Sequence, residues 1–583
     1  MSNLESSPLI PKRVTTTNQR IHNVLVQILT LVWFLCLPLR TVVGAVLWTF
    51  SFFFWRPFVA VFTRTPFAGM LARFVERNTW VVILFFALPA SYVFDMFFTI
   101  RNWYVRSFLA APKLHDQRVR EVQAQVRRWN EEGRQKPMCT ARPGWLTMST
   151  RSSTFKDDCS RISVNLHDII EVDTERQIVK VEPLVDMGQI TAHLVPMGWS
   201  LAIMVEMEDL TVGGLLMGVG LEVNSHIYGL MFETVERFEV VLGDGSLVTC
   251  SRTENPDLFH ALPMSHGTLG FLVSAEMRII PCKPYMHLTY EPCHSLDEMS
   301  DKVTKYCESD NPPPFLEVTV YSKETSVIML GEFADVTTPE QRAKINSVNY
   351  WWKPWFYKHV AKFLETGPSD EYIPLRHYFH RHTRSIFWKL EELIPFGNHP
   401  IYRYLLGWLG APKIAFLKLF THTPEVRRKV AESAVYQDII VPISTIRESI
   451  ILFHEEFEFY PLLFYPVKLF YKAPGCEGLI RNPKHVKEGT NPPWEMYFDL
   501  GVYGIPGPVQ RGEPWDAAKA NRAMEKFARD NTGMQLMYAD TWQTQEEFEE
   551  MFDHTLYRKC REKYNAIGAF PEIWDKVKPQ DQR

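Results

Sequence analysis

The residues best suited to chemistry are glycines. Thr211-Val212-Gly213-Gly214-Leu215-Leu216-Met217-Gly218-Val219-Gly220 puts four glycines into ten positions, and Asn224-Ser225-His226 and Tyr228-Gly229 follow at once. Backbone without side chains lets a bulky anion reach N–H groups, and a dinucleotide pyrophosphate suits such a patch. A Rossmann fingerprint is excluded, because the third glycine of GxGxxG, counted from Gly218, falls on Val223. A second loop, Cys139 to Thr147, joins Arg142, Pro143, Gly144 and Trp145. Arginine there can pair with a phosphate and glycine can permit close approach, although taken alone the loop reads as an ordinary turn. Gly267-Thr268-Leu269-Gly270 adds another glycine pair just before Val273.

The surrounding pattern predicts the elements that hold these loops. Leu114 to Trp129 is a charged helix with Val119, Val122 and Val126 on one face. Ile162 to Leu166, Ile169 to Val172 and Ile178 to Val181 alternate as strands, the last two around the turn Asp173 to Arg176. After Glu182-Pro183 the period changes: Met187, Ile190, Leu194 and Met197 mark a helix that closes on Gly198, followed by a strand from Leu201 to Val205. Asp186 stands where it can cap that helix or touch a cofactor. Phe238 to Leu242, Asp244-Gly245 and Leu247 to Cys250 read as a hairpin, Asn255 to Phe259 opens a short helix, and Ala275 to Ile280 is a strand. The layout is α+β.

In this order the features resemble the FAD-binding domain of the vanillyl-alcohol-oxidase type, over about 140 to 282. The resemblance implies pyrophosphate contacts from Arg142, Pro143, Gly144 and Trp145 and from Thr211, Val212, Gly213, Gly214 and Gly218. It implies further cofactor contacts at Asp186, Met187, Gly188, Gln189 and Gly198, at His226, Tyr228 and Gly229, and at Gly270 and Val273. The first loop lacks the histidine through which many relatives attach the flavin, so the FAD is expected to be noncovalent.

The second half carries no phosphate loop. Asn349 to His359 is an aromatic run with interleaved cations, and Arg376 to Arg384 packs three His and three Arg into nine positions. Such mixtures line a greasy pocket with polar handles, lie on a membrane surface, or form a satisfied structural cluster. Together with Arg-Pro-Gly-Trp-Leu-Thr, Asp-Leu-Thr-Val-Gly-Gly, Tyr372 to Tyr378, Arg381 to Trp388, Ile394 to Asn398, Gln437-Asp438 and Tyr538-Ala539-Asp540, they make the chain from roughly 80 to 580 resemble the Δ24-sterol reductases, a membrane-bound branch of the same family. That resemblance implies an endoplasmic-reticulum enzyme with a two-subdomain FAD-binding domain and a substrate (cap) domain, reducing the C24=C25 side-chain bond of a sterol with FAD and NADPH. An isolated alkene is a poor hydride acceptor, so the site needs a general acid in a dry slot. His380, His382, Tyr497, Tyr538 and Asp540 are the candidates. Arg376, Arg381 and Arg384 are placed, on charge alone, to meet the NADPH 2′-phosphate. An oxidase or dehydrogenase of a sugar lactone or alcohol on the same domain, and a noncatalytic scaffold, stay open.

Composition bounds the rest. At 583 residues the chain needs more than one core. Its 63 basic and 67 acidic residues give a net charge of −4, which asks for no nucleic acid, and its nine cysteines lack metal-ligand spacing, so no metal is expected. Val24 to Leu39 and Thr41 to Trp55 are apolar but short, whereas Trp80 to Ile100 is a 21-residue run with a single acid, Asp95. A retained anchor of one to three spans is predicted for 1–110, followed by an FAD domain over 111–285, a cap over 286–530 and a return to the flavin domain over 531–583. The absence of any Asn-x-Ser/Thr acceptor and the basic residues beside the apolar runs place the catalytic part in the cytosol.

Overall fold

Alternating apolar and polar stretches build two antiparallel sheets in succession along the chain. The computed structural model describes residues 79 to 420, 424 to 487 and 489 to 578. The apolar runs Val24 to Leu39 and Thr41 to Trp55 lie outside the described residues.

A short parallel pair, β1 (Met138–Thr140) and β2 (Ser160–Ile162), delivers the first glycine loop. The first sheet holds β3 (Ile169–Asp173), β4 (Ile178–Val181), β5 (Trp199–Leu201), β6 (Val235–Val241), β7 (Leu247–Ser251) and β8 (Phe271–Pro281). Its order is β3-β4-β8-β6-β7, with β5 joined to the last residues of β8. The predicted hairpins are present: β3 turns into β4 through Asp173 to Arg176, and β6 into β7 through Gly245, whose φ of +84° is the left-handed conformation such a turn requires. Two strand expectations need correction. Ser163 to Asp168 leave the ladder after β2, the Leu166 and Asp168 carbonyls accepting instead from Leu184 and Glu182. The strand expected over Leu201 to Val205 stops at Leu201, because the chain must leave the sheet edge there to reach the main glycine loop.

The second sheet has eight strands: β9 (Tyr285–Cys293), β10 (Phe315–Val320), β11 (Ser326–Ala334), β12 (Ser369–Pro374), β13 (Val435–Pro442), β14 (Leu462–Phe470), β15 (Trp494–Gly504) and β16 (Met534–Gln535). They run in the order β12-β9-β11-β10-β14-β15-β13-β16. Register decides what one face presents. Tyr465 pairs with Asp499, Asp438 pairs with Gly501, and Val318 pairs with Phe464. With a side-chain period of two, Glu317, Tyr465, Asp499, Asp438 and Tyr503 therefore project from the same face.

Helices fix the sheets. α1 (Ile83–Tyr104) is apolar and long enough to cross a membrane. α2 (His115–Glu131) buries Val119, Val122 and Val126, as its periodicity predicts. α3 (Met187–Leu194) is capped by Asp186, whose carboxylate accepts from Gln189 N at 2.7 Å, one of the two roles the sequence left open. α4 (Val212–Met217) is built from the main glycine loop, and α5 (Pro400–Leu406) and α6 (Ile414–Phe420) lie between β12 and β13. α7 (Thr555–Lys563) returns to the first sheet, where the buried Arg561 donates to the Thr268, Pro571 and Phe570 carbonyls at 2.9, 3.0 and 2.9 Å.

α2 is clamped by charge as well as packing. Arg118 meets Asp168 at 2.6 Å, and His115 Nδ1 lies 2.8 Å from Glu182. Burial opposes the His115 charge, but Glu182 and Glu239 outweigh it and raise its pKa from 6.5 to about 9. Because the folded value lies above the unfolded one, the stabilisation is complete below pH 6.5 and is lost as pH rises through about 9. Thermal unfolding followed across that interval should show the melting temperature falling with pH, and His115→Gln should remove most of the slope. An unchanged slope in the variant would refute the clamp.

Candidate cofactor and active site

The two glycine loops are built differently from a bare row of donors. In the first, the chain leaves β1 into a tight turn at Gly144–Leu146, with Arg142 Nη2 donating to the Leu146 carbonyl at 2.9 Å and Lys156 Nζ to the Arg142 carbonyl at 2.6 Å. A Cβ on Gly144 would run into the Ser153 side chain. In the second, Val212 N donates to Val185 O at 2.9 Å and Gly213 N to Pro183 O at 2.8 Å. Those two N–H groups are thus spent on protein, a correction to the expectation that the whole run offers free donors. A Cβ on Gly213 would lie 2.8 Å from Pro183 Cβ, and one on Gly218 would lie 2.7 Å from Gly214 O. Glycine at 213 is what lets the loop seat against the start of α3. Thr211 bridges Asp186, and Gly188 N donates to Glu208 O at 3.0 Å, so Asp186, Met187, Gly188 and Gln189 cluster with Thr211, Val212, Gly213 and Gly214.

The other expected cofactor residues spread further. Gly198 caps the opposite end of the α3 turn system, about 18 Å from Asp186 at the rise of a helix. Gly229 has a φ of +79° and makes room for Phe470, Gly270 lies against Val240 and the Val241 carbonyl, and Val273 is buried in β8. His226 Nε2 lies 2.7 Å from the Pro313 carbonyl, and burial lowers its pKa to about 4, so the ring is neutral. Tyr228 ends the short helix beginning at Ser225.

Whether FAD suits these residues can be judged from what they leave unsatisfied. Glu206 Oε2, Glu222 Oε2, Asn224 Oδ1, His226 Nδ1, His266 Nε2 and Asp499 Oδ1 are buried with no hydrogen-bond partner among the described residues. Each such atom costs about 1–3 kcal/mol if it stays unpaired. A ribityl chain and a flavin pyrimidine edge carry donors and acceptors of both kinds. Buried cations gather at the first loop. Arg142 makes no ion pair among the described residues, and burial lowers its pKa despite Asp186 and Asp209. Burial, with Arg427 and Arg151 nearby, brings Lys418 down to about 7. A diphosphate would relieve both. The residues fit the cofactor.

The proposed acids separate sharply. Both His380 nitrogens are engaged, Nε2 with Thr191 Oγ1 and Nδ1 with the Glu206 carbonyl, each at 2.8 Å, and burial lowers its pKa. His382 is buried, stacked on Phe387 with ring centroids 5.0 Å apart, and held neutral by burial and by Arg381. His380 thus joins its run to Thr191 and Glu206, while both ring nitrogens of His382 are buried with no hydrogen-bond partner among the described residues. Asp540 accepts from Ser152 N and from Arg427, each at 3.2 Å, so it ties the C-terminal segment to the first loop. Tyr497 reaches only the Thr532 carbonyl at 3.4 Å. Tyr538 differs: its hydroxyl donates to Asp438 Oδ2 at 2.6 Å, while Tyr503 donates to Asp438 Oδ1. Of the three arginines, Arg381 is buried between Glu317 and Glu222, and Arg384 donates to the Trp351, Val348 and Pro354 carbonyls, so neither meets an external phosphate. Arg376 stays at the surface beside Glu208, 3.4 Å away.

A row of buried acids escaped the sequence reading. Glu206 and Glu222 come from the glycine-loop segment, and Glu317, Asp499 and Asp438 from the facing sheet. Burial and then Glu206 raise Glu222, burial and then Asp438 raise Asp499, and burial lifts Asp438 to about 6. The sequence does contain a signal: Leu316-Glu317-Val318, Phe498-Asp499-Leu500 and Asp438-Ile439-Ile440 set single carboxylates into apolar strands, where a charge is expensive unless it has a task.

The sequence that builds these loops is similar to that of known proteins. Residues 117–251 match the family model described as an FAD binding domain. The human Delta(24)-sterol reductase is 46% identical over 502 residues, covering 86% of this chain and 93% of its own. A Delta(24)-sterol reductase homolog of Caenorhabditis elegans is 40% identical, with 85% and 94% covered, and the Delta(24)-sterol reductase of Arabidopsis thaliana is 38% identical, with 86% and 91% covered.

Gly213→Ala should force α4 away from Pro183 and weaken FAD retention about tenfold or more, a loss of about 1.4 kcal/mol. Flavin absorbance per protein after gel filtration measures it. Full retention would show that the contact between the two loops is not what shapes the cofactor cradle.

Proposed function

Because this chain belongs to the Delta(24)-sterol reductase family, we propose that it is an FAD-dependent oxidoreductase that reduces the C24=C25 bond of a sterol side chain at the expense of NADPH. The observation that carries this is the row of buried carboxyls and phenols facing the glycine-loop segment, a proton store in a dry setting where an unactivated alkene must be protonated. Bound FAD, once reduced, supplies a hydride. The remaining work falls to the protein.

Asp438 holds the proton. Burial raises its pKa from 3.8 to about 6, against the pull of the Tyr503 and Tyr538 hydroxyls. In the protonated form it turns one phenol contact around and refills Tyr538 as that hydroxyl gives its proton to C24 and positive charge builds at the more substituted C25. Asp499, two residues from Gly501 on the same face, keeps its own proton because burial, and after it the neighbouring Asp438 carboxyl, disfavours its charge. Apolar strand neighbours exclude the water that would otherwise level the acidity. The first loop offers no histidine for a covalent flavin bond, which supports a noncovalent cofactor. Arg376 remains the candidate for the NADPH 2′-phosphate, and the endoplasmic-reticulum membrane with the catalytic part towards the cytosol remains the proposed location.

Membranes containing the full chain, given desmosterol and NADPH, should convert it to cholesterol by mass spectrometry. No product with FAD bound and NADPH consumed would overturn the assignment. Asp438→Asn should lower turnover about 100-fold, the scale of a lost general acid, while FAD stays bound. Wild-type turnover should fall as pH rises through about 6, and the variant should lose that dependence. An Asn variant with the same pH profile would remove Asp438 from the proton path.

A further inference from the structure

The strongest unexplained surface is apolar and formed by two helices. On α1, Phe86, Val93, Phe97, Ile100 and Trp103 recur at helical spacing and point outward, Phe86 being 69% exposed. Beside them α5 exposes Ile401, Tyr404 and Leu405, the last at 66%, and Trp408 continues the patch with its ring edge-on to Tyr92 at 5.2 Å. An apolar face of this extent needs an occupant.

The inner face of α1 limits what that occupant is. Leu84, Leu88 and Ser91 are buried, Ser91 Oγ accepts from Lys413 N at 2.9 Å, and Phe94 packs on Phe416 and Trp145 at 5.5 and 6.2 Å. Asp95 lies 3.5 Å from Lys413 Nζ, which also meets Asp209 at 3.1 Å. The globular body is thus fastened to the middle of the helix. If α1 crossed a bilayer, Lys413, Asp209 and the polar first loop would be carried into hydrocarbon with it. If it lies parallel to the surface, the same groups stay above the acyl chains while the outer residues enter them. Arg101 in the last turn of α1 and Lys113 in the turn Pro112–Leu114 beyond it are both exposed, as cations that meet anionic headgroups must be.

We propose that α1 and α5 with Trp408 form one in-plane docking surface for a phospholipid bilayer, so that α1 rests within the interface and does not span it. The apolar runs Val24 to Leu39 and Thr41 to Trp55, in the same end of the sequence, favour lipid over a second protein as the occupant. The inference goes beyond the sterol chemistry and stands without it.

The test uses the full chain reconstituted in phosphatidylcholine vesicles, with an environment-sensitive fluorophore attached at Phe86→Cys, Val93→Cys, Ile100→Cys or Leu405→Cys and at Ile451→Cys as a distant exposed control. Labelling of the unsubstituted protein is subtracted, and retained FAD shows that each variant is folded. All four docking positions should share one depth, quenched about twofold more by a shallow spin-labelled lipid than by a deep one, as for a face immersed about 5–10 Å; the control should not be quenched. Deep quenching at Val93 with shallow quenching at Phe86 and Ile100 would mean a spanning helix. Quenching absent at Leu405, or absent along α1, would equally overturn the proposal.

Discussion

A single buried guanidinium organises the contact between the glycine-loop segment and the facing sheet. Arg381 donates to Glu317 of β10 and to Glu222 beyond the main glycine loop, and its Nη2 reaches the Tyr465 hydroxyl at 3.2 Å. Two carboxylates and one cation leave an unbalanced charge in a dry interior; burial and then Glu206 raise Glu222, and burial and then Asp438 raise Asp499. The acidic row is a consequence of that arrangement. Holding protons on buried carboxyls there costs stability.

Much of the first sheet was legible because its signals are local. A turn of Asp173 to Arg176, a hairpin at Asp244-Gly245 and an Asp before a 3.6-period run each declare themselves within a few residues. Strand ends were less legible. Ser163 to Asp168 and Ile203 to Val205 have strand-like composition, and only the path to the next loop decides that they leave the ladder. The second sheet was hardest, since its order β12-β9-β11-β10-β14-β15-β13-β16 depends on pairings between strands far apart in the chain, as between Val318 of β10 and Phe464 of β14.

The site shows the same division. Glycines at 213 and 218 are readable as close-approach positions, but that Gly213 yields to Pro183 rather than only to a ligand is a tertiary fact. The histidine-rich run drew attention through its composition, but only tertiary structure shows that His380 is hydrogen-bonded at both nitrogens while His382 stacks on Phe387. Asp438 and Asp499 look ordinary in sequence and become distinctive only when register brings them to one face beside Tyr503 and Tyr538.

Trp145 belongs to two parts of the protein at once. It lies in the Arg142 to Trp145 loop, and its ring also carries Phe94 and Phe98 of α1, at centroid distances of 6.2 and 6.3 Å. Aromatic contacts transmit displacement because neither ring can be compressed. Any shift of α1 is therefore felt first at Trp145, which makes that one indole the mechanical joint between the apolar helix and the loop that follows β1.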